Sequence, residues 1–179
     1  MNNDLEKLRF PIGKYKIEPV EEKDYPSLID QLEALPGMVR AAVAGLTDEQ
    51  LDTTYRDGGW TLRQVVHHLP DSHLNVYMRF KLAITEDTPV IKPYEEGLWA
   101  ELTEAKHGPV NDSLDLLDSL HRRWVAFLRT LKHEDFLRKY YHPAHDKNYV
   151  LSSVLSMYVW HGKHHLAHIT ETKEANGWK

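Results

Sequence analysis

The run VLSSVLSMYVWHGKHHLAHITETK, residues 150–173, carries apolar side chains at three- and four-residue steps: Leu151, Val154, Leu155, Tyr158 and Ile169. That spacing belongs to an α-helix with one buried face. The pattern ends near Asn176-Gly177, residue types that commonly stop a helix. At about 100° per residue from Leu151, His161 falls at about 280° and His165 at about 320°, inside the apolar stripe. His164, at about 220°, lies nearer the polar side, and His168, at about 260°, lies on the border. One histidine on an apolar face is ordinarily a core residue with a satisfied hydrogen bond. Two partly desolvated imidazoles one turn apart have the spacing at which one helix presents two ligands to a single metal ion. A stable site then needs a third protein ligand, usually from another helix.

Working outward, three further long amphipathic segments precede this one. The first spans roughly Tyr25 to Leu46, with Leu28, Leu32, Leu35, Val39 and Val43 in register. Pro36-Gly37 inside it predicts a kink or break. Thr47-Asp-Glu-Gln50 and Thr61-Leu-Arg-Gln64 both have capping-box spacing. The second box opens a long helix towards Ala83, in which Pro70 predicts a bend near Val66–Pro70. Asn111-Asp112-Ser113 offers caps for the third long helix, with Leu114, Leu117, Leu120, Trp124, Leu128 and Leu131 in register. Thr85 to Gly108, broken by Pro89, Pro93 and Gly97, reads as a long irregular connection with one helical turn or two. His133 to Lys147 reads as a loop or short helix. Pro11, Gly13 and Pro19 make residues 1–23 an extended arm. The expected architecture is all-α: a single domain over 1–179, a four-helix bundle with an N-terminal arm and the long connection between its second and third long helices.

His67, His68 and His73 on the second long helix are the candidates for the third ligand. Taking Leu62 as zero, their angles of about 140°, 240° and 20° favour His73 for burial. Burial does not set the height along the bundle, so periodicity leaves the choice open. Asp71, Asp112 and Glu171 are weaker options.

Composition narrows the chemistry further. The chain has 179 residues, 12 histidines and no cysteine, which removes disulfides, thiolate nucleophiles and Cys-based metal sites. A net charge of −5 argues against a broad basic face for nucleic acid or anionic lipid. No stretch approaches a membrane span, and the opening MNNDLEKLRF lacks the apolar run of a signal peptide. A cytoplasmic setting is the expectation. With no phosphate loop or Ser–His–Asp pattern, a bound transition metal would rely on imidazole, carboxylate and water.

Several separated motifs, in order, resemble one family. They are Phe10-Pro-Ile-Gly-Lys-Tyr15, Asp52-Thr-Thr-Tyr-Arg-Asp-Gly-Gly-Trp-Thr61, Arg63-Gln-Val-Val-His-His-Leu69 and Asp71-Ser-His73. Ile91-Lys-Pro-Tyr94, Tyr141-His-Pro143 and Tyr158-Val-Trp-His161 complete the set. Together they are similar to the YfiT-like branch of the DinB superfamily of metal-binding helical bundles. The resemblance implies one divalent metal, zinc or nickel, held by a histidine of the second long helix and an i, i+4 pair of the last. The pair maps to His161 and His165. The superfamily pattern of His, apolar, small, acid maps to His68-Leu69-Pro70-Asp71 and so selects His68. Pro70 stands where that pattern has a small residue, and Gln64 stands where many members have an acid.

A three-histidine site leaves coordination positions for water, whose pKa such a metal lowers from 15.7 to about 7. The resemblance therefore implies a metal-dependent hydrolase of a small-molecule substrate, working as a homodimer. The alternative it carries is a thiol S-transferase using a bacillithiol-type low-molecular-weight thiol, because the same ion would deprotonate a bound thiol. A metal-stabilised scaffold or sensor is the non-enzymatic alternative. Tyr94, Arg79 and Trp160 are candidates to line the pocket, and Asp71 is a candidate to orient a ligand imidazole.

Overall fold

Thr61 opens the central helix as its sequence requires. Its hydroxyl accepts from the Gln64 backbone N–H at 3.1 Å, and the Gln64 side-chain oxygen Oε1 accepts from the Thr61 backbone N–H at 2.9 Å. The box at Thr47 and Gln50 forms in the same way. A computed structural model describes residues 3–178. In chain order the elements are α1 (Asn3–Arg9), α2 (Tyr25–Val43), α3 (Asp48–Leu51), α4 (Leu62–Thr85), α5 (Glu96–Ala100) and α6 (Thr103–His107). They continue with α7 (Val110–Leu128), α8 (His133–Phe136), β1 (Lys139–His142), β2 (Lys147–Val150) and α9 (Leu151–Ala175).

The four long helices form the expected bundle. α2 and α4 each pack against both α7 and α9, so the order around the bundle is α2, α7, α4, α9. Close approach of α9 to α2 depends on Gly162. A Cβ there would stand 2.3 Å from Leu35 Cδ2, far inside van der Waals contact. Two apolar clusters fill the interior. One gathers Ile29, Leu32, Val76, Phe80, Trp124, Leu128, Val154 and Leu155. The other gathers Leu35, Val39, Leu62, Val65, Leu69, Leu117 and Ile169.

Three expectations need correction. The arm is not extended throughout: residues 3–9 form α1, because Asn-Asp-Leu-Glu-Lys-Leu-Arg contains neither proline nor glycine. Pro11 then restricts Phe10 and ends the helix, while Met1 and Asn2, the start of that arm, lie outside the described residues. The break allowed for at Pro36 does not occur, since α2 runs through it, while α4 runs through Pro70 as expected. The stretch read as a loop or short helix contains α8 and then half of an antiparallel β1–β2 hairpin, with Tyr140 opposite Tyr149. Tyr141 also bridges to Val90 in the long connection, so the hairpin is held by pairing distant in sequence.

Candidate metal centre

α9 delivers His161 and His165 one turn apart, their ring centroids 4.6 Å from each other. Across the bundle α4 delivers His68. The three residues each offer a ring nitrogen, and these nitrogens all lie within 4.8 Å of one another. Among the described residues this group has three members and no carboxylate. His68 Nε2 and His161 Nε2 are 3.2 Å apart. Two nitrogens bound at about 2.05 Å to one tetrahedral ion would stand about 3.3 Å apart, so the spacing fits a shared ion. Nδ1 of His165 is buried without a hydrogen-bond partner among the described residues. Burial pushes all three imidazoles towards the neutral form that a metal needs, His68 down to about 4 and the others well below the usual value. Trp60 packs against His68 and His165, with ring centroids at 4.8 and 6.3 Å.

Behind His161 lies a chain of hydrogen bonds whose direction is fixed by its far end. Pro36 has no N–H to give the Leu32 carbonyl four residues earlier. His121 Nδ1 sits 2.6 Å from that oxygen. A carbonyl only accepts, so His121 Nδ1 carries the hydrogen. Burial holds His121 neutral, its pKa down to about 4, and Nε2 is then an acceptor. His73 Nδ1–H donates to it at 2.8 Å. His73, fully buried and also held neutral, is left accepting through Nε2, which receives the His161 Nδ1–H at 3.2 Å. His161 therefore keeps the lone pair on Nε2, the atom that faces His68. The histidine that the burial argument favoured, His73, lies behind the group and orients one of its members.

The remaining expected residues fall into place by their partners. His67 is buried but spoken for, with Nδ1 at 2.7 Å from the Ser113 hydroxyl and Nε2 at 3.2 Å from the Gly108 carbonyl. Gln64 serves its cap and donates to the Ala100 carbonyl at 2.7 Å. Asp71 makes no hydrogen bond to a ligand imidazole among the described residues; burial and Glu104 push its carboxyl up to about 6. Asp112 and Glu171 stand outside the group. His164 and His168 are not on a polar face. Trp160 stacks on His164 with centroids 4.6 Å apart, Phe10 lies 5.9 Å from His164, and Tyr55 stacks on His168 at 4.0 Å.

A cavity of about 600 Å³ opens over the histidines, lined in part by Trp60, Ser72, Arg79, Tyr94, Tyr158 and Trp160. All three expected pocket residues therefore line it. Tyr140, His142 and Tyr149 from the hairpin also contribute. Sequence reasoning missed them because it did not foresee the hairpin.

A four-helix bundle with a three-histidine group at the foot of an open cavity defines a helical-bundle protein with a candidate mononuclear metal centre. Residues 31–169 match the DinB superfamily, and the chain belongs to it. It is 51% identical over 172 residues to YfiT of Bacillus subtilis (strain 168), covering 96% of this chain and 97% of YfiT. A relative in Bacillus pumilus (strain SAFR-032) is 52% identical over 174 residues, covering 96% and 98% of the two chains. The solved structure of Bacillus subtilis YfiT superposes with a TM-score of 0.94 at 50% identity, covering 97% of this chain and 99% of that one. YfiT is described there as a probable metal-dependent hydrolase with an unusual four-helix bundle topology.

Proposed function

We propose that the chain is a metal-dependent hydrolase of small molecules in which His68, His161 and His165 hold one divalent ion, zinc or nickel. The observation that carries this reading is the group of three ring nitrogens within 4.8 Å, exposed to a cavity of about 600 Å³. A divalent ion bound there supplies Lewis acidity and lowers the pKa of water to about 7. The chain's own residues do the rest. The His121–His73 chain presents His161 in one tautomer. Trp60, Tyr158 and Trp160 wall the cavity and confine the substrate. In the reaction a water oxygen bonds to the carbonyl or phosphoryl centre, the bond to the leaving group breaks, and the leaving group takes up a proton. The likeness to YfiT, described as a probable metal-dependent hydrolase, supports the same reading.

Metal-loaded protein, metal-stripped protein and His161→Ala should be assayed on panels of esters, amides and phosphoesters. Turnover that requires metal and is lost in the variant is expected. X-ray absorption showing four protein ligands and no solvent on the ion would sink the proposal, as would turnover that survives stripping.

A homodimer is part of this proposal. It is supported by the exposed apolar side chains Met78, Leu98, Trp99 and Leu102, which line a cavity of about 630 Å³ together with Arg79, Lys92 and Glu95. Light scattering of wild type and Leu98→Asp tests it. A monomeric wild type would remove it.

A further inference from the structure

Arg79 is 9% exposed, yet among the described residues no carboxylate lies within 4.0 Å of it, and its side-chain partner is the Tyr140 hydroxyl. The other buried arginine of α4 shows what satisfaction looks like. Arg63 donates to Asp52 at 2.6 Å, to Asp48 at 2.7 Å and to the Gly108 carbonyl at 3.0 Å. A buried guanidinium without such partners is costly to the fold. Its charged end acts on Tyr140, Tyr158 and His142, all of which line the cavity over the histidines. Arg79 itself lines that cavity, as well as the neighbouring one beside Leu98 and Trp99, so N–H donors left over from Tyr140 border the space where a substrate would sit.

The placement follows a pattern in the sequence. His68, Ser72, Asn75 and Arg79 succeed one another at steps of four, three and four, the spacing of one helix face. All four are buried where an ordinary amphipathic helix would carry apolar side chains. His68, Ser72 and Arg79 line the same cavity. Eleven residues at 1.5 Å rise put the two ends of this stripe about 16 Å apart between Cα atoms. The arginine stem leans back towards the helix N-terminus and shortens that gap.

We propose that Arg79 is an anion-binding subsite, so that the substrates are elongated molecules with a carboxylate or phosphate at the end remote from the bond cleaved. A planar guanidinium pairs with either group through two parallel N–H···O bonds. Glu95 and Glu96 also line the cavity, but they are exposed and outside ion-pair distance of Arg79. The substrate class rests on the hydrolase reading, whereas the subsite itself is a binding property.

The test uses monomethyl esters of straight-chain dicarboxylic acids of increasing length, with the neutral dimethyl diesters as comparison. Each is titrated calorimetrically into metal-loaded wild type, Arg79→Gln and Arg79→Lys, and the same mixtures are assayed for methanol release. Charged esters should bind more tightly than neutral ones, with an optimum chain length. Arg79→Gln should weaken the charged series at least about tenfold and leave the neutral series unchanged. Arg79→Lys should retain part of the preference. No preference for charged over neutral esters in wild type overturns the subsite, and so does an equal loss of both series in Arg79→Gln. If the binding preference holds while no ester is consumed, the subsite stands and the hydrolase reading fails. If neutral and charged esters are consumed alike, hydrolysis stands and the subsite fails.

Discussion

Replacing His73 by phenylalanine isolates the hydrogen-bond chain behind the metal group. The ring is 0% exposed, and phenylalanine keeps most of its volume. Two interactions disappear: the bond accepted from His161 Nδ1–H at 3.2 Å and the bond donated to His121 Nε2 at 2.8 Å. Each leaves a buried polar atom unsatisfied, at about 1–3 kcal/mol apiece, so folding stability should fall by about 2–6 kcal/mol. Metal affinity should fall as well, by about 10–100-fold, the usual effect of removing a partner that orients a ligating imidazole. That factor corresponds to about 1.4–2.7 kcal/mol. Metal stoichiometry at saturation should remain one per chain. Chelator competition measures the affinity, thermal unfolding the stability, and nitrogen NMR of metal-free protein the tautomer of His161. Wild type should show hydrogen on Nδ1. A wild-type His161 protonated on Nε2, or an affinity unchanged in His73→Phe, would refute the chain of donors and acceptors. Complete loss of the metal at saturation would instead make His73 a ligand. His67→Phe is the control, because His67 is equally buried but bonded to Ser113 and Gly108, and its loss should leave affinity unchanged.

Metal content after loading should fall to background in His68→Ala, His161→Ala and His165→Ala, and stay near wild type in His164→Ala, whose ring packs between Trp160 and Phe10. Acidification should unfold the metal-free protein between about pH 6.5 and 4. In that window the unfolded chain binds protons that His68 and His121, with folded pKa values of about 4, refuse, and His121 alone contributes about 3 kcal/mol. Bound metal should move the midpoint lower. Asp71 has the opposite sign: its folded pKa of about 6 exceeds the unfolded 3.8, so its stabilising contribution is complete below 3.8 and lost as pH rises through 6. Asp71→Asn should therefore raise the unfolding temperature at neutral pH, with a gain over wild type that vanishes in acid. Gly162→Ala should destabilise by about 1–3 kcal/mol through the clash with Leu35, and the penalty should disappear in a Leu35→Ala background. Additive effects in that double variant would show that the clash is not what constrains position 162.

Periodicity read the four long helices and the His161–His165 pair because α9 and its partners meet in the ordinary way, one face inward. It left the third candidate ligand open for a definite reason. Every residue from Leu62 to Pro70 is buried, since α3, α5 and α6 cover what would otherwise be the outer face of α4. A helical wheel assumes an exposed side, and this part of α4 has none. The family pattern selected His68 where geometry from sequence had no purchase. His164 and His168 misled for a related reason. The segment after α1 covers that face of α9, with Tyr15 donating to the Ser153 carbonyl at 3.2 Å. The hairpin was illegible because β1 and β2 are four residues each, and their register depends on Tyr141 meeting Val90 some fifty residues away.

Pro36 and the buried histidines, puzzling one by one, become intelligible as a layer. Along α2 the apolar clusters change over between Leu32 and Leu35, and along α7 between Leu117 and Trp124, with His121 at the boundary. Along α4 they change over between Leu69 and Val76, where Ser72 and His73 lie. Along α9 the change falls between Val159 and Ile169, the span that holds His161 and His165. The bundle is thus two apolar cores separated by a polar slice, and that slice contains the candidate metal group. A polar layer in a bundle is tolerable only where its members satisfy one another. Pro36 contributes by deletion: it frees the Leu32 carbonyl, which gives the His121–His73–His161 chain an acceptor to end on and a direction. In Pro36→Ala the carbonyl would regain a helical N–H and His121 would face a competitor for it. The helix should gain intrinsic propensity while the metal site loses tautomeric definition. Stability and metal affinity are therefore expected to move in opposite directions in that variant, which a folding explanation of Pro36 alone does not require.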